Sequence, residues 1–275
     1  MMPDSASFYM VELWLDPKAL AGLADRKGLL RQRPPVTMNY MVHAALGELF
    51  QDAAPKPFAV QDAPRQLEEK ALKQPQNGRA VRVLGYADED WDALHDRAKM
   101  LASPAAYETC VPDRCAAKPM PETFPEGMAL QFELRACPVV RKASAGEGVN
   151  QHGETRSWNE GDELDAFLAE AWTRPEEDDL SREQVYCDWL DRQFEIRGGA
   201  ELQSAGMTRF SIERMTRRVP KNGNGERKAD TIKRPDVTLT GTLTVTDGDA
   251  LVDLLRSGIG RHKSFGYGLL KVRRA

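Results

Sequence analysis

The chain has 275 residues, of which 41% are hydrophobic and 29% charged, and its formal net charge is -4 at pH 7. That length allows one large or two small domains with a real core. The balance excludes a uniformly basic nucleic-acid coat but not a local basic surface.

No stretch approaches the roughly eighteen apolar residues of a membrane span. The N-terminus, MMPDSASFYMVELWLDP, is acidic and runs straight into a strand-like segment rather than a signal peptide, so a cytoplasmic location is expected. Cys110, Cys115, Cys137 and Cys187 lack paired CxxC spacing and read as reduced thiols, not a metal site or disulfides.

In chain order, FYMVELWL (8–15) alternates and predicts a first strand. A basic loop with Arg31 and Arg33 leads into MNYMVHAALGELF, a helix with Asn39 as its N-cap. PFAVQD (57–62) and RAVRVLGYA (79–87) predict strands, and DEDWDALHDRAKMLA (88–102) an amphipathic helix. A Pro- and Cys-containing stretch from about 103 to 125 carries no clear period.

The second half repeats the order. MALQFELRACPVV (128–140) predicts a strand stopped at Pro138, and 162–172 and 181–195 predict helices. ELQSAGMTRFSIERMTRRV (201–219) reads as two strand segments, and DVTLTGTLTVTD (236–247) as a strand of clean period two. DALVDLLRSG (249–258) is a helix ending at Gly258, and YGLLKV (267–272) closes as a strand. Two successive β-α-β-β-α-β-like units predict an α+β protein of tandem ferredoxin-like domains with antiparallel sheets, divided as 1–125 and 126–275.

Charge is segregated along the second half. Residues 154–195 are acidic, whereas Arg209, Arg214, Arg217, Arg218, Arg227 and Lys228 lie on a predicted hairpin with the tip PKNGNGERK. From 256 onwards there are six Lys or Arg residues and no acid. A projecting basic ribbon followed by a basic glycine loop is an electrostatic footprint for nucleic acid. The loop, GIGRHKSFGYG (258–268), is neither a Walker phosphate site nor a dinucleotide fingerprint, because His262 precedes Lys263 and the loop follows a helix. Gly258, Gly260, Arg261, Lys263 and Gly266 are its candidate nucleic-acid-backbone contacts.

Four histidines are candidates for proton transfer. His95 lies on a charged helix face, His152 in a polar loop, and His262 in the glycine loop. His43 shares a stripe with Tyr40 and Gly47, spaced three and four apart and turned away from the apolar stripe of Val42, Ala45, Leu46 and Leu49. Spacing alone leaves two readings of His43: packed at the helix edge, or facing a ribose-phosphate step.

The segment TLTVTDGDALVDLLRSGIGRHKSFGYGLLKV resembles the C-terminal signature of the CRISPR-associated repeat-processing endoribonucleases, nearest to the CasE group of type I-E Cascade. NYMVHAALGELF, FAVQ, RVLGYA and FELRACPVVRKAS agree with it, so the resemblance spans nearly the whole chain. The type IV repeat processor is a divergent cousin with a similar loop. The resemblance implies tandem ferredoxin-like (RRM-like) domains and a cut just 3′ of each repeat hairpin in CRISPR precursor RNA. It also implies retention of the product hairpin beside other Cascade subunits. Tyr40 and His43 fall on the family's catalytic Tyr and His.

Such cleavage, as the resemblance implies it, needs no metal or other cofactor: the 2′-OH attacks the adjacent phosphorus, the P–O5′ bond breaks, and the products are a 2′,3′-cyclic phosphate and a 5′-OH. The helix offers no base for the scissile phosphate, only Glu48; Arg31, Arg33, Lys263 or a basic residue on the hairpin are the candidates. The rival reading is a non-catalytic RNA-binding subunit with the same folds and basic surface.

Overall fold

The computed structural model describes residues 8–30, 36–61, 80–150, 152–173, 180–218 and 229–275, with backbone alone at 216–218 and 229–231. The first half runs β1 (Tyr9–Leu15), α1 (Pro17–Arg26), α2 (Met38–Phe50), β2 (Phe58–Gln61), β3 (Val81–Ala87), α3 (Trp91–Leu101), α4 (Pro104–Tyr107) and β4 (Ala116–Pro119). Its strands form one antiparallel sheet in the order β2-β3-β1-β4. Alternation along β1 puts Val11, Leu13 and Leu15 on the face that α1 and α2 cover with Leu20, Leu23, Val42, Leu46 and Leu49.

The second half runs β5 (Ala129–Ala136), β6 (Val139–Arg141), β7 (Gly146–Val149), β8 (Thr155–Trp158), β9 (Glu163–Asp165), α5 (Ala166–Ala171), α6 (Arg182–Arg197), β10 (Ala200–Arg218), β11 (Ala229–Val245), α7 (Gly248–Ser257) and β12 (Leu270–Arg274). Its main sheet is β10-β11-β5-β12, again antiparallel. Counting only the four sheet strands of each half, both orders are 2-3-1-4. The chain is α+β, with tandem ferredoxin-like sheets. Short ladders β6–β9 and β7–β8 are inserted before α5.

Three sequence readings change. The β10 segment is one strand, and register shifts between Leu202 and Ser204 and between Met207 and Arg209 absorb what the sequence presents as a break. The predicted helix at 162–172 begins as β9, because Glu163–Asp165 pairs with β6 before Asp165 caps α5. The segment 103–125 holds α4 and β4, the latter completing the first sheet on the β1 edge. Helix α1 had no sequence expectation, although Asp16 caps it with Pro17 at its first position.

The halves are joined by buried contacts. The Tyr86 hydroxyl on β3 donates to the Leu270 carbonyl on β12 at 2.8 Å. Phe8, Ala59 and Tyr86 of the first half belong to the same core as Leu134, Leu239 and Leu255. No described helix is long and apolar enough to cross a membrane.

Candidate active site and nucleic-acid interface

Helix α2 is capped by Thr37, whose hydroxyl accepts from the Tyr40 amide at 3.4 Å, and not by Asn39. Asn39 is instead inside the first turn and 6% exposed. Met41, Val42, Ala45, Leu46 and Leu49 are buried, while Tyr40 and His43 are half-buried and Gly47 is exposed. The two-stripe division expected from helical spacing is therefore the one observed.

The glycine loop packs on that second stripe. Phe265, in a single 3-10 turn (Lys263–Phe265), has its ring 5.8 Å from Tyr40 and 6.0 Å from His43, centroid to centroid. Tyr40 and His43 are 6.3 Å apart at 66°. Three rings from two distant segments thus wall one side of a half-open site. Phe265 had no place among the sequence candidates; its only signal was its position in KSFG.

Positive charge gathers beside these rings. Burial lowers the His43 pKa below its ordinary 6.5, and the nearby Lys56 ammonium lowers it further. Burial likewise lowers the Lys263 pKa, with Arg197 and Lys56 adding repulsion. Among the described residues neither Lys56 nor Lys263 has a carboxylate partner. Lys56 precedes Pro57, whose ring lies under Gly258, so it is delivered beside the loop. No periodicity or motif singles it out.

The loop glycines pack against their own chain. A Cβ on Gly258 would lie 2.8 Å from Pro57 Cγ, one on Gly260 2.9 Å from Trp189, and one on Gly266 3.2 Å from Asn39. The amides of Gly258, Ile259, Phe265, Gly266 and Gly268 bond to carbonyls of this chain. The loop amides without such a partner among the described residues are those of 260–264 and of buried Tyr267, so an exposed amide cradle for a ligand is confined to 260–264.

The remaining candidates are scattered. Arg261 and His262 both reach Glu163 of β9; His262 Nε2 is 2.9 Å from Glu163 Oε2. Arg234 joins the same carboxylate at 3.3 Å. Burial alone would raise the Glu163 pKa, but His262, Arg261 and Arg234 outweigh it and hold the carboxyl below its usual range. Arg209 pairs with buried Asp236 at 3.1 Å. Arg214 is exposed on β10, opposite Lys233. Arg217 and Arg218 lie on the β10 backbone opposite Asp230 and Ala229. Arg31, Arg33, Arg227, Lys228 and the hairpin tip lie outside the described residues.

The hairpin itself is long. β11 pairs with β5 only from Val237 to Thr244, but with β10 as far as Ala229. About eight residues per strand therefore run past the sheet as a two-stranded arm, roughly 25 Å at strand rise. His95 is 2.9 Å from the Tyr107 hydroxyl and stacked on Trp91, away from this site, and His152 is exposed.

A CRISPR associated protein family model matches residues 8–274. The chain belongs to that family. Among solved structures it is similar to CRISPR endoribonuclease Cse3 bound to a 19-nucleotide RNA, at 19% identity and a TM-score of 0.55 over 97% of this chain and 99% of that one. Thermus thermophilus Cse3 bound to an RNA representing a pre-cleavage complex matches at 20% identity and 0.53, with the same shares covered. Cas6e from Escherichia coli K-12 matches at 20% and 0.51, covering 97% of this chain and all of that one. At these identities the likeness establishes the fold. No curated protein matches significantly.

Proposed function

We propose that this protein is a metal-independent endoribonuclease that cuts CRISPR precursor RNA 3′ of each repeat hairpin and stays on the product as a Cascade subunit. One observation carries the reading: Tyr40 and His43 share the open face of α2, the glycine loop brings Phe265 onto it, and the Lys56 ammonium acts on His43. Family membership and the endoribonuclease names of the similar structures point the same way.

His43 takes the proton from the 2′-OH as O2′ bonds to phosphorus and the P–O5′ bond breaks, and the departing 5′-oxygen takes a proton from water. Its depressed pKa leaves the imidazole neutral near pH 7, the state a general base requires. Tyr40, one turn before it, orients the 2′-OH or the phosphate. Lys263 and Lys56 supply the positive charge that the helix lacks, acting on the phosphorane in a partly dry site. Phe265 offers a stacking face to an unpaired base beside the cut. The β10–β11 arm, with Arg214, Arg217 and Arg218 and the tip residues Arg227 and Lys228, grips the hairpin stem chiefly through phosphates. Residues 1–125 carry the catalytic helix and 126–275 the arm and loop; sheets that draw on residues up to Pro119 and from Ala129 onward support that division.

The test is a labelled repeat hairpin incubated with the protein in EDTA, with the ends mapped. A single cut at the 3′ base of the stem, leaving a 2′,3′-cyclic phosphate, is expected. Cleavage only with added divalent metal, or binding without any cut, would favour a metal-dependent nuclease or a non-catalytic subunit.

A further inference from the structure

Arg135 on β5 sits where three elements of the proposed site meet. Its Nε and one terminal nitrogen hold Asp236 of β11 at 2.7 and 2.9 Å, and the same terminal nitrogen reaches Glu213 of β10 at 3.0 Å. These two carboxylates stand at the root of the basic arm. The guanidinium also lies over the Tyr267 ring at 4.9 Å, and the Tyr267 hydroxyl donates to Glu213 at 2.7 Å. The Arg135 carbonyl accepts from the Gly268 amide at 2.8 Å. Arm root and glycine loop are therefore both fixed to this one residue.

The third element is α2. With its side-chain oxygen turned toward the guanidinium, Asn39 accepts from the two terminal nitrogens of Arg135 at 2.9 and 3.3 Å. Asn39 is buried, precedes Tyr40 directly, and rests against Gly266. A side-chain amide held there fixes both the rotation and the height of the first turn of α2. The charges also balance: Arg135 and Arg209 face Asp236 and Glu213, so the guanidinium is fully engaged without any RNA.

We infer that Arg135 is a positioning residue which, through Asn39, holds the first turn of α2 against the glycine loop and so sets Tyr40 and His43 for the cut. The inference rests on the endoribonuclease reading for its catalytic consequence, though the mechanical link exists in the free protein. Reacting groups displaced by an ångström lose about 100-fold in rate. A break in this link therefore appears in the chemical step and leaves affinity for the stem untouched.

Arg135→Ala would take two of the bonds from buried Asp236, leaving it Arg209 and Ser211, and threaten folding, so the decisive variants are Asn39→Leu, which keeps the volume and removes the acceptor, and Asn39→Asp, which restores one. Three quantities are read for each: the single-turnover cleavage rate, affinity for a hairpin carrying a 2′-deoxy sugar at the cut, and hydrogen exchange of amides 40–43 without RNA. Asn39→Leu is expected to lower the rate about 10- to 100-fold, keep the affinity, and speed exchange in that turn alone; Asn39→Asp recovers most of the rate and the protection. Unchanged rate and exchange in Asn39→Leu overturn the inference. So does loss of rate, affinity and protection together across the protein, or an Asn39→Asp variant no better than Asn39→Leu. Should the wild-type protein leave the hairpin whole, the endoribonuclease reading fails, and the exchange measurement alone then decides whether Arg135 holds α2.

Discussion

Gly258 ends α7 and opens the loop with φ 69° and ψ 165°. That region of backbone space is nearly closed to any residue with a Cβ, at about 1–3 kcal/mol. In Gly258→Ala the new methyl would also sit 2.8 Å from the Gly268 carbonyl oxygen and 2.8 Å from Pro57 Cγ, both well inside ordinary contact. The chain on each side is held, by Gly258 N–H to Leu254 and by Ile259 N–H to Gly268, so the strain cannot be relaxed locally. Strain and overpacking together cost about 3 kcal/mol. For a chain of this size that lowers Tm by roughly 6–12 °C. The assay is a thermal melt by circular dichroism, with Gly47→Ala as the contrast. Gly47 is exposed in mid-helix with nothing within 4 Å of a Cβ, so alanine there should raise stability by about 1 kcal/mol through helix propensity alone. If Gly258→Ala melts with the wild type, the loop is not seated on Pro57 as described, and the placement of Lys56 and Lys263 loses its footing.

Other outcomes follow from the same geometry. His43→Ala should lose about 100- to 10,000-fold in single-turnover rate while binding the hairpin normally; loss of binding in proportion would make His43 a contact and not a base. Lys56→Gln removes a charge that disfavours the imidazolium, so the His43 pKa rises and the acidic limb of the pH–rate profile moves to higher pH. Burial remains, so the limb stays below 6.5, and an unmoved limb would show that Lys56 does not act on His43. Arg214→Ala should weaken RNA binding and make the log–log salt dependence shallower by about one unit, as measured by filter binding across a salt series. Tyr267→Phe removes a buried hydroxyl from Glu213 and should cost about 1–3 kcal/mol in denaturant unfolding.

Periodic elements were legible from sequence, because burial of one face imposes a period that survives in the residue pattern. β1, α2, α3 and α7 lie where their apolar spacing puts them, within a residue or three. Elements defined by pairing were less legible. β9 is three residues long and β4 four, and each exists because a neighbouring edge, β6 or β1, accepts it. Tyr40 and His43 could be found because a helix converts spacing into direction. Lys56, Phe265, Asn39 and Arg135 could not, since they meet only once the two halves pack, and no local pattern encodes a contact between residues 39 and 135. Glu163 was read only as one acid among many, whereas it is the anchor of Arg234, Arg261 and His262.

That anchor changes how binding energy should be counted. With Arg234, Arg261 and His262 already gathered around one tethered carboxylate, a phosphodiester arriving there would have to compete with Glu163 for the same donors. Counting bases alone would therefore overstate the positive charge this corner can offer, because Glu163 already claims part of it.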